Sequence, residues 1–309
     1  MRRYLLKRLL QTPLVLLLLV TVSFFMMRLA PGGPFDAEKP LDPATRAALD
    51  ARYGLDRPLH EQYGRFLGRL IQGDLGPSFQ FKTRTVNEII AGNLGPSIVL
   101  GLLALSFALG IGLAAGVVSA LRQNTALDYS TMTMAMVGLS VPAFVIGPLL
   151  QLLVAMRLGW LPVAEYGQGL ATPRYLILPA LTLALPFSAR IARLTRAGML
   201  EVINQDFVRT ARAKGLREHT VILRHALRGS LLPVIAFLGP AVASLLTGSL
   251  VVEKIFQIPG LGRCFVDSAL ARDYTVVMGT MIVYGGFIIV FNLVTDVLLV
   301  LADPRVRHG

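Results

Sequence analysis

The side chains that could carry out a reaction are few and poorly placed for one. The four histidines, His60, His219, His225 and His308, are scattered through polar segments, and none belongs to a ligand pair such as His-Glu-x-x-His. Cys264 is the single cysteine, so no disulfide can form within the chain and no cysteine set exists for zinc. There is no Gly-x-Ser-x-Gly elbow to present a nucleophilic serine. There is also no Gly-x-x-x-x-Gly-Lys-Ser/Thr loop, so the chain cannot cradle ATP phosphates in a P-loop of its own. These absences argue against an enzyme. No catalytic, metal or cofactor-binding residue is assigned.

The stretch richest in signals runs from Glu201 to Arg217. Asn204 is expected to cap a short helix with Asp206 in its first turn. Arg212 and Lys214 fall in the last turn, where cations complement the helix dipole. Gly215 supplies the left-handed residue that ends it. The small residues Thr210, Ala211, Ala213 and Gly215 would let such a helix dock closely against another protein. Composition alone allows a solvated positive loop equally well. A second helix is expected from about Glu218 to Arg228, before Leu231-Leu232-Pro233 begins a new apolar run.

The elements that must hold this loop are apolar. Hydrophobic residues make up 54% of the chain and mean hydropathy is +0.63. About six runs reach the roughly 20 residues that cross a bilayer. They lie near 9–30, 98–121, 131–156, 176–193, 231–252 and 276–301. The first could be a secretory signal, but it is longer than a signal's apolar core and ends in Arg28-Leu29-Ala30-Pro31, a poor cleavage site. A retained helix is expected over 1–30. Pro142 and Pro148, Pro179 and Pro186, and Pro240 interrupt three later runs, either to kink them beside a pathway or for packing alone. The second run carries Ala104, Ala108, Gly112, Gly116 and Ala120 at intervals of four, a small-residue face against which another helix can pack. Trp160 reads as an interface anchor.

Residues 31–97 are polar and punctuated by turns. Asp42 is expected to cap a helix over Pro43 to Tyr53, stopped by Gly54. Pro58 opens a second, with Leu59, Tyr63, Phe66, Leu67, Leu70 and Ile71 on one face. Thr85 and Glu88 have capping-box spacing and are expected to open a third. The segment should fold as a small extracytoplasmic cap.

Charge orients the runs. With the N-terminus inside, segments 1–8, 122–130, 190–230 and 302–309 hold 16 Lys and Arg against five acids. Segments 28–97, 157–175 and 253–275 hold 14 against 12. Basic residues collect on cytoplasmic loops, so the expected topology is N-in and C-in. The formal net charge of +12 then needs no nucleic acid. Arg190, Arg193 and Arg196 read first as anchors of this kind.

In this setting Arg209-Thr-Ala-Arg-Ala-Lys-Gly215-Leu and Arg224-His-Ala-Leu-Arg228, ending in Leu-Leu-Pro233, resemble the coupling loop of ABC-importer permeases of the dipeptide, oligopeptide and nickel family. Arg209-Thr210-Ala211 stands where the general importer pattern has Glu-Ala-Ala. Pro233 follows Gly215 by 18 residues, further than in that pattern. Both departures are usual in the peptide branch. The resemblance covers the whole chain: Phe24 to Phe35, Gly73 to Ser78, Gln123 to Tyr129, Gly248 to Glu253, Pro259 to Gly262, Arg272 to Tyr274, Asn292, Asp296 and Asp303-Pro304-Arg305. It is nearest to the B-type membrane subunit of oligopeptide permeases. Leu299 departs, where the family often has Tyr.

The resemblance implies an all-α, type I ABC-importer permease fold of about six spans, with a core at 98–301, a coupling loop at 195–230 and a tail at 302–309. It implies a multi-pass protein of the bacterial inner membrane, surrounded by lipid. A homologous second permease would complete a heterodimer, and two cytoplasmic ABC ATPases would hold ATP and Mg. An extracytoplasmic binding protein would deliver oligopeptide. Asp206, Phe207, Arg209, Thr210, Ala211, Arg212, Ala213, Lys214, Gly215 and Leu216 would form the helix that couples to the ATPases. Dipeptides, nickel or another small solute remain alternatives as cargo. An ion-coupled secondary transporter is the rival of a different class, but no internal repeat is visible. The one acid well inside a run, Asp296, lies within two turns of its inner end.

Overall fold

The computed structural model describes residues 2–29, 33–35, 42–81, 83–167 and 169–302, without the side chains of 2–10 and 300–302. The tail from 303 and the side chains of Arg2, Arg3, Lys7 and Arg8 therefore lie outside the described residues. The described chain is helical, apart from turns and a single bridge between Pro77 and Thr85.

Four long helices cross the apolar layer: α1 (Arg2–Leu29), α4 (Val86–Leu121), α7 (Arg174–Val202) and α14 (Tyr274–Ala302). α4 has 36 residues, about 54 Å at 1.5 Å per residue, and so extends well beyond a hydrocarbon core of about 30 Å. The third cap helix expected from Thr85 is the start of this long helix. Its capping box is complete: Thr85 Oγ1 accepts from Glu88 N at 3.3 Å, and Glu88 Oε2 accepts from Thr85 N at 3.1 Å. Pro96 removes one backbone donor without breaking the helix.

The expected single crossing at 131–156 is broken. α5 (Ala126–Ser140) meets α6 (Ala143–Leu150) and its π-helical extension Gln151–Arg157 at a bend of 108°. Pro142 has no N–H to continue the ladder and forces Val141 out of the helical region, to φ −84° and ψ 122°. The fifth crossing is also divided. α11 (Leu232–Leu246) stops at Thr247, Gly248 adopts φ +81°, and Ser249 caps α12 (Leu250–Ile255) by accepting from Val252 N.

The cap consists of α2 (Pro43–Tyr53) and α3 (Leu59–Ile71). Asp42 stands at the N-cap of α2, but its side chain makes no capping bond; Pro43 in the first turn and left-handed Gly54 set the limits. α3 lays its aromatic face on α1. Phe24 stacks against Phe66 with centroids 5.7 Å apart, and the Tyr63 and Thr21 hydroxyls share a 2.6 Å hydrogen bond.

The core runs along the seam of α4 and α7. Ala104, Ala108, Gly112, Gly116 and Ala120 are all buried there. A Cβ on Gly112 would stand 2.7 Å from Ile191 Cβ, and one on Gly116 would stand 2.5 Å from Thr195 Cβ. The small-residue face thus serves packing within this chain.

Candidate functional site

α7 ends at Val202, the chain turns, and α8 runs over Asp206–Ala213. The start differs from the expected cap at Asn204. Gln205 is the extended N-cap residue, no side chain caps the helix, and Asp206 is its first residue. Lys214 is the C-cap residue, and Gly215 at φ +73° ends the turn.

The helix is two-faced. Val208 and Ala211 are buried among Met199 and Val202 of α7, Ala120 of α4, and Val221 and Ala226 further on. Asp206, Phe207, Arg209, Thr210, Arg212, Ala213, Lys214, Gly215 and Leu216 are exposed. Ala211, read from sequence as one of the small residues for docking onto another protein, instead seats the helix on its own chain. Two apolar side chains protrude: Phe207 is 45% exposed and Leu216 41%. Asp206 and Arg209 form a loose surface pair at 3.8 Å.

A second helical stretch holds α8 from behind. It comprises α9 (Glu218–Thr220), a π-helical segment Val221–Ala226, and α10 (Leu227–Ser230). Arg212 clamps the two together, with Nη2 donating to Glu218 Oε1 at 2.7 Å and Nε reaching both carboxylate oxygens at 3.2 Å. Hydrogen bonding to that guanidinium holds the Glu218 carboxyl below its ordinary range, and Glu218 in turn raises Arg212. α7 and α10 touch at Gly198, where a Cβ would lie 2.6 Å from Ser230 O. Beside α8, Phe207, Arg224, His225 and Arg228 line a cleft of about 580 Å³.

Three carboxylates that sequence reading left without a role brace the frame. Asp128 opens α5 and takes Arg196 of α7 bidentately, from Nε at 2.8 Å and Nη2 at 2.7 Å. It also accepts from Ser119 Oγ of α4 and from Asn124 N. Arg196 is therefore a joint between elements rather than a simple anchor. Glu253 of α12 is fully buried against the start of α13 (Leu261–Leu270), accepting from Ser97 Oγ at 2.7 Å and Arg263 N at 2.9 Å. Gly248, Gly260 and Gly262 crowd around it, leaving no room for a Cβ. Asp273 gathers Ser78 Oγ, Phe79 N and Thr275 Oγ1, tying the cap segment to the start of α14. The only hint in the sequence was their position beside glycine-rich or hydroxyl-bearing runs.

Asp296 of α14 lines a small cavity with Gln11, Thr12 and Asn292, between α1 and α14. Arg190 lies over the Phe237 ring, 5.2 Å from its centroid. Where the two broken crossings meet α7, a mainly apolar cleft of about 370 Å³ is lined by Ala143, Thr182, Pro186, Phe187, Gly248 and Val251. Among the described residues, no group of three His, Cys, Asp or Glu could hold a metal ion.

Comparison with known proteins adds four findings. Residues 112–308 match the family described as "Binding-protein-dependent transport system inner membrane component", and residues 1–86 match its N-terminal companion. The chain is 45% identical over 308 residues to the oligopeptide transport system permease protein OppB of Haemophilus influenzae, covering 100% of both chains. It is 42% identical to the dipeptide transport system permease protein DppB of Bacillus subtilis, over 99% of this chain and 98% of that one. The fold is similar to an inward-facing structure of the MetNI methionine ABC transporter, with TM-score 0.59 and 14% identity over 70% of this chain and 96% of that chain.

Proposed function

The chain belongs to the binding-protein-dependent transport system inner membrane components, the multi-pass permease subunits of ABC importers, and from that premise we propose that it forms half of an oligopeptide pathway driven through α8. The observation that carries this reading is the division of α8. Val208 and Ala211 fix it to α7 and to the stretch behind it, while Phe207, Arg209, Thr210, Lys214 and Leu216 face outward. A short helix can transmit force only if it is rigid with respect to the spans. The buried pair and the Arg212–Glu218 clamp supply that rigidity.

On this reading the N- and C-termini and α8 lie in the cytoplasm, and the cap with α2 and α3 lies outside, within reach of a peptide-binding protein. A homologous second permease supplies the other half. Two partner ATPases bind ATP and Mg and grip the exposed face of α8. Their closure on ATP draws α8 and α7 inward together and opens the pathway outward; hydrolysis resets it. The broken crossings give the pathway apolar walls with few fixed polar groups. Such a surface discriminates weakly among side chains and suits peptides of varied sequence.

Uptake into proteoliposomes holding the four subunits tests this. A labelled pentapeptide should accumulate only with binding protein outside and ATP inside, and a dipeptide or nickel should compete weakly. Uptake driven by a proton gradient without ATP would replace this reading with a secondary transporter.

A further inference from the structure

Arg28 closes the apolar run of α1, and nothing in the transport reading uses it. Its Nε is buried without a hydrogen-bond partner. Its near neighbours are rings: the guanidinium carbon lies 5.5 Å from the Phe24 centroid and 5.9 Å from that of Phe79. Ring faces offset part of a buried cation's desolvation, but they leave the Nε donor unmet.

A cavity of about 160 Å³ opens beside it, between the end of α1, both cap helices and the segment Leu75–Phe79. Arg52, Arg57, Arg65 and Arg69 join Arg28 in its lining, and among the described residues no Asp or Glu does. Of the five, only Arg57 has a carboxylate partner among the described residues, Glu61 at 3.5 Å. Arg65 and Arg69 extend past the turn glycines of the lining. Their Nη1 atoms would be 3.8 Å and 3.6 Å from a Cβ on Gly54 and Gly76. The floor is apolar, formed by Phe66, Phe79 and Met278. Five guanidiniums around an apolar floor make a site for one anionic group with several acceptor oxygens, such as a phosphate.

Depth decides which phosphate. Twenty residues separate Arg8 from Arg28 on one continuous helix. At 1.5 Å per residue that is about 30 Å, the thickness of the hydrocarbon core. With the Arg2–Arg8 cluster at one interface, Arg28 reaches the headgroup level of the opposite leaflet. On the side of α1 turned away from the cavity, Leu18, Val22, Met26 and Leu29 are exposed to the acyl layer, as a helix standing in hydrocarbon up to Arg28 requires. A phosphate held at that depth is a lipid headgroup. We propose that the cavity between α1 and the cap binds the phosphodiester headgroup of a membrane phospholipid, preferably an anionic one, which pins the cap to α1.

Native mass spectrometry and thermal melts of the full chain in mild detergent test this, with phosphatidylglycerol and inorganic phosphate as probes. One phosphatidylglycerol per chain should survive delipidating washes, and adding it should raise the melting temperature saturably. Arg65→Gln with Arg69→Gln should weaken retention at least about tenfold, the loss of one or more charge-assisted hydrogen bonds. Arg28→Met should abolish the lipid response and melt higher than wild type in lipid-free detergent, because the uncompensated charge is gone. That second readout stands even if the double variant folds poorly. Equal lipid retention by wild type and both variants would reduce the bound lipid to an unspecific annulus and overturn the proposal. So would an equal rise with inorganic phosphate alone, or an Arg28→Met variant that melts no higher.

Discussion

Replacing Gly116 by alanine adds one methyl group at the closest approach of α4 and α7. The new Cβ would stand 2.5 Å from Thr195 Cβ and 2.6 Å from Ala192 O. Carbon atoms rest at about 3.5–4.0 Å, so the helices must part by roughly 1 Å. Rotation cannot relieve this, because the Ala192 atom belongs to the backbone. Gly112→Ala meets the same obstacle at Ile191 Cβ, 2.7 Å away, and Ser188 O, 2.8 Å away. Gly110 is the internal control: on the same helix, it has nothing within 4 Å. There alanine should gain about 1 kcal/mol of helix propensity. Gly116→Ala gains the same propensity but overpacks at a cost of about 1–3 kcal/mol, so the two variants should differ by about 1–3 kcal/mol. Melting of the purified chains in one detergent, side by side, reads this as Gly110→Ala at or above wild type and Gly116→Ala several degrees below it. The displaced α7 also carries Met199 and Val202, the seat of α8, so Gly116→Ala should lower transport per ATP. If all three variants melt within a degree of one another, the helices are not as close as described and the argument fails.

Ala211→Trp should unseat α8 by overpacking the cluster around Met199 and Val221, and Gly215→Pro should do so by forbidding φ +73°. Both chains should stay monodisperse yet lose peptide-stimulated ATPase in the assembled importer; retained stimulation would remove the coupling role from α8. Arg196→Met should reduce the folded fraction recovered by size exclusion more than Asp128→Asn does. The Asp128 side chain is 2% exposed and would be left charged and unpaired, whereas Arg196, at 28%, can still reach water. Equal recovery would contradict that asymmetry. The Arg212–Glu218 clamp has a pH window set by the lowered carboxyl. Its contribution is complete above the ordinary glutamate value of 4.5 and fades as pH falls through the lower folded-state value. Amide exchange in α8, corrected for intrinsic rate, should accelerate on acidification below that value in wild type but stay flat in Glu218→Gln; parallel profiles would rule the clamp out.

The features legible in the sequence depend on near neighbours. Apolar runs of sufficient length place the spans, Gly54 and Gly215 end helices because their backbones take positive φ, and the four-residue spacing from Ala104 to Ala120 announces a close helix seam. Local reading erred where continuation competes with interruption. The Thr85 capping box was correct as a helix start, but nothing after it stopped the helix, so a cap helix and a span became one. Pro142 was legible as a kink but not as a bend of 108°, since the angle depends on what α5 and α6 find to pack against.

Only tertiary structure decided the long-range partnerships. Asp128 meets Arg196 across 68 residues, and Ser97 meets Glu253 across 156. The cap's arginines meet Arg28 only because α3 folds back on α1 through its aromatic face. A lone charge in a sequence looks the same whether it faces water, a carboxylate or an empty cavity. Its cost and its role are set by the dielectric and the donors around it, which exist only once the helices have packed. The sequence determined that α8 exists and where it ends; packing determined that Ala211 holds it and that Phe207 and Leu216 stay exposed.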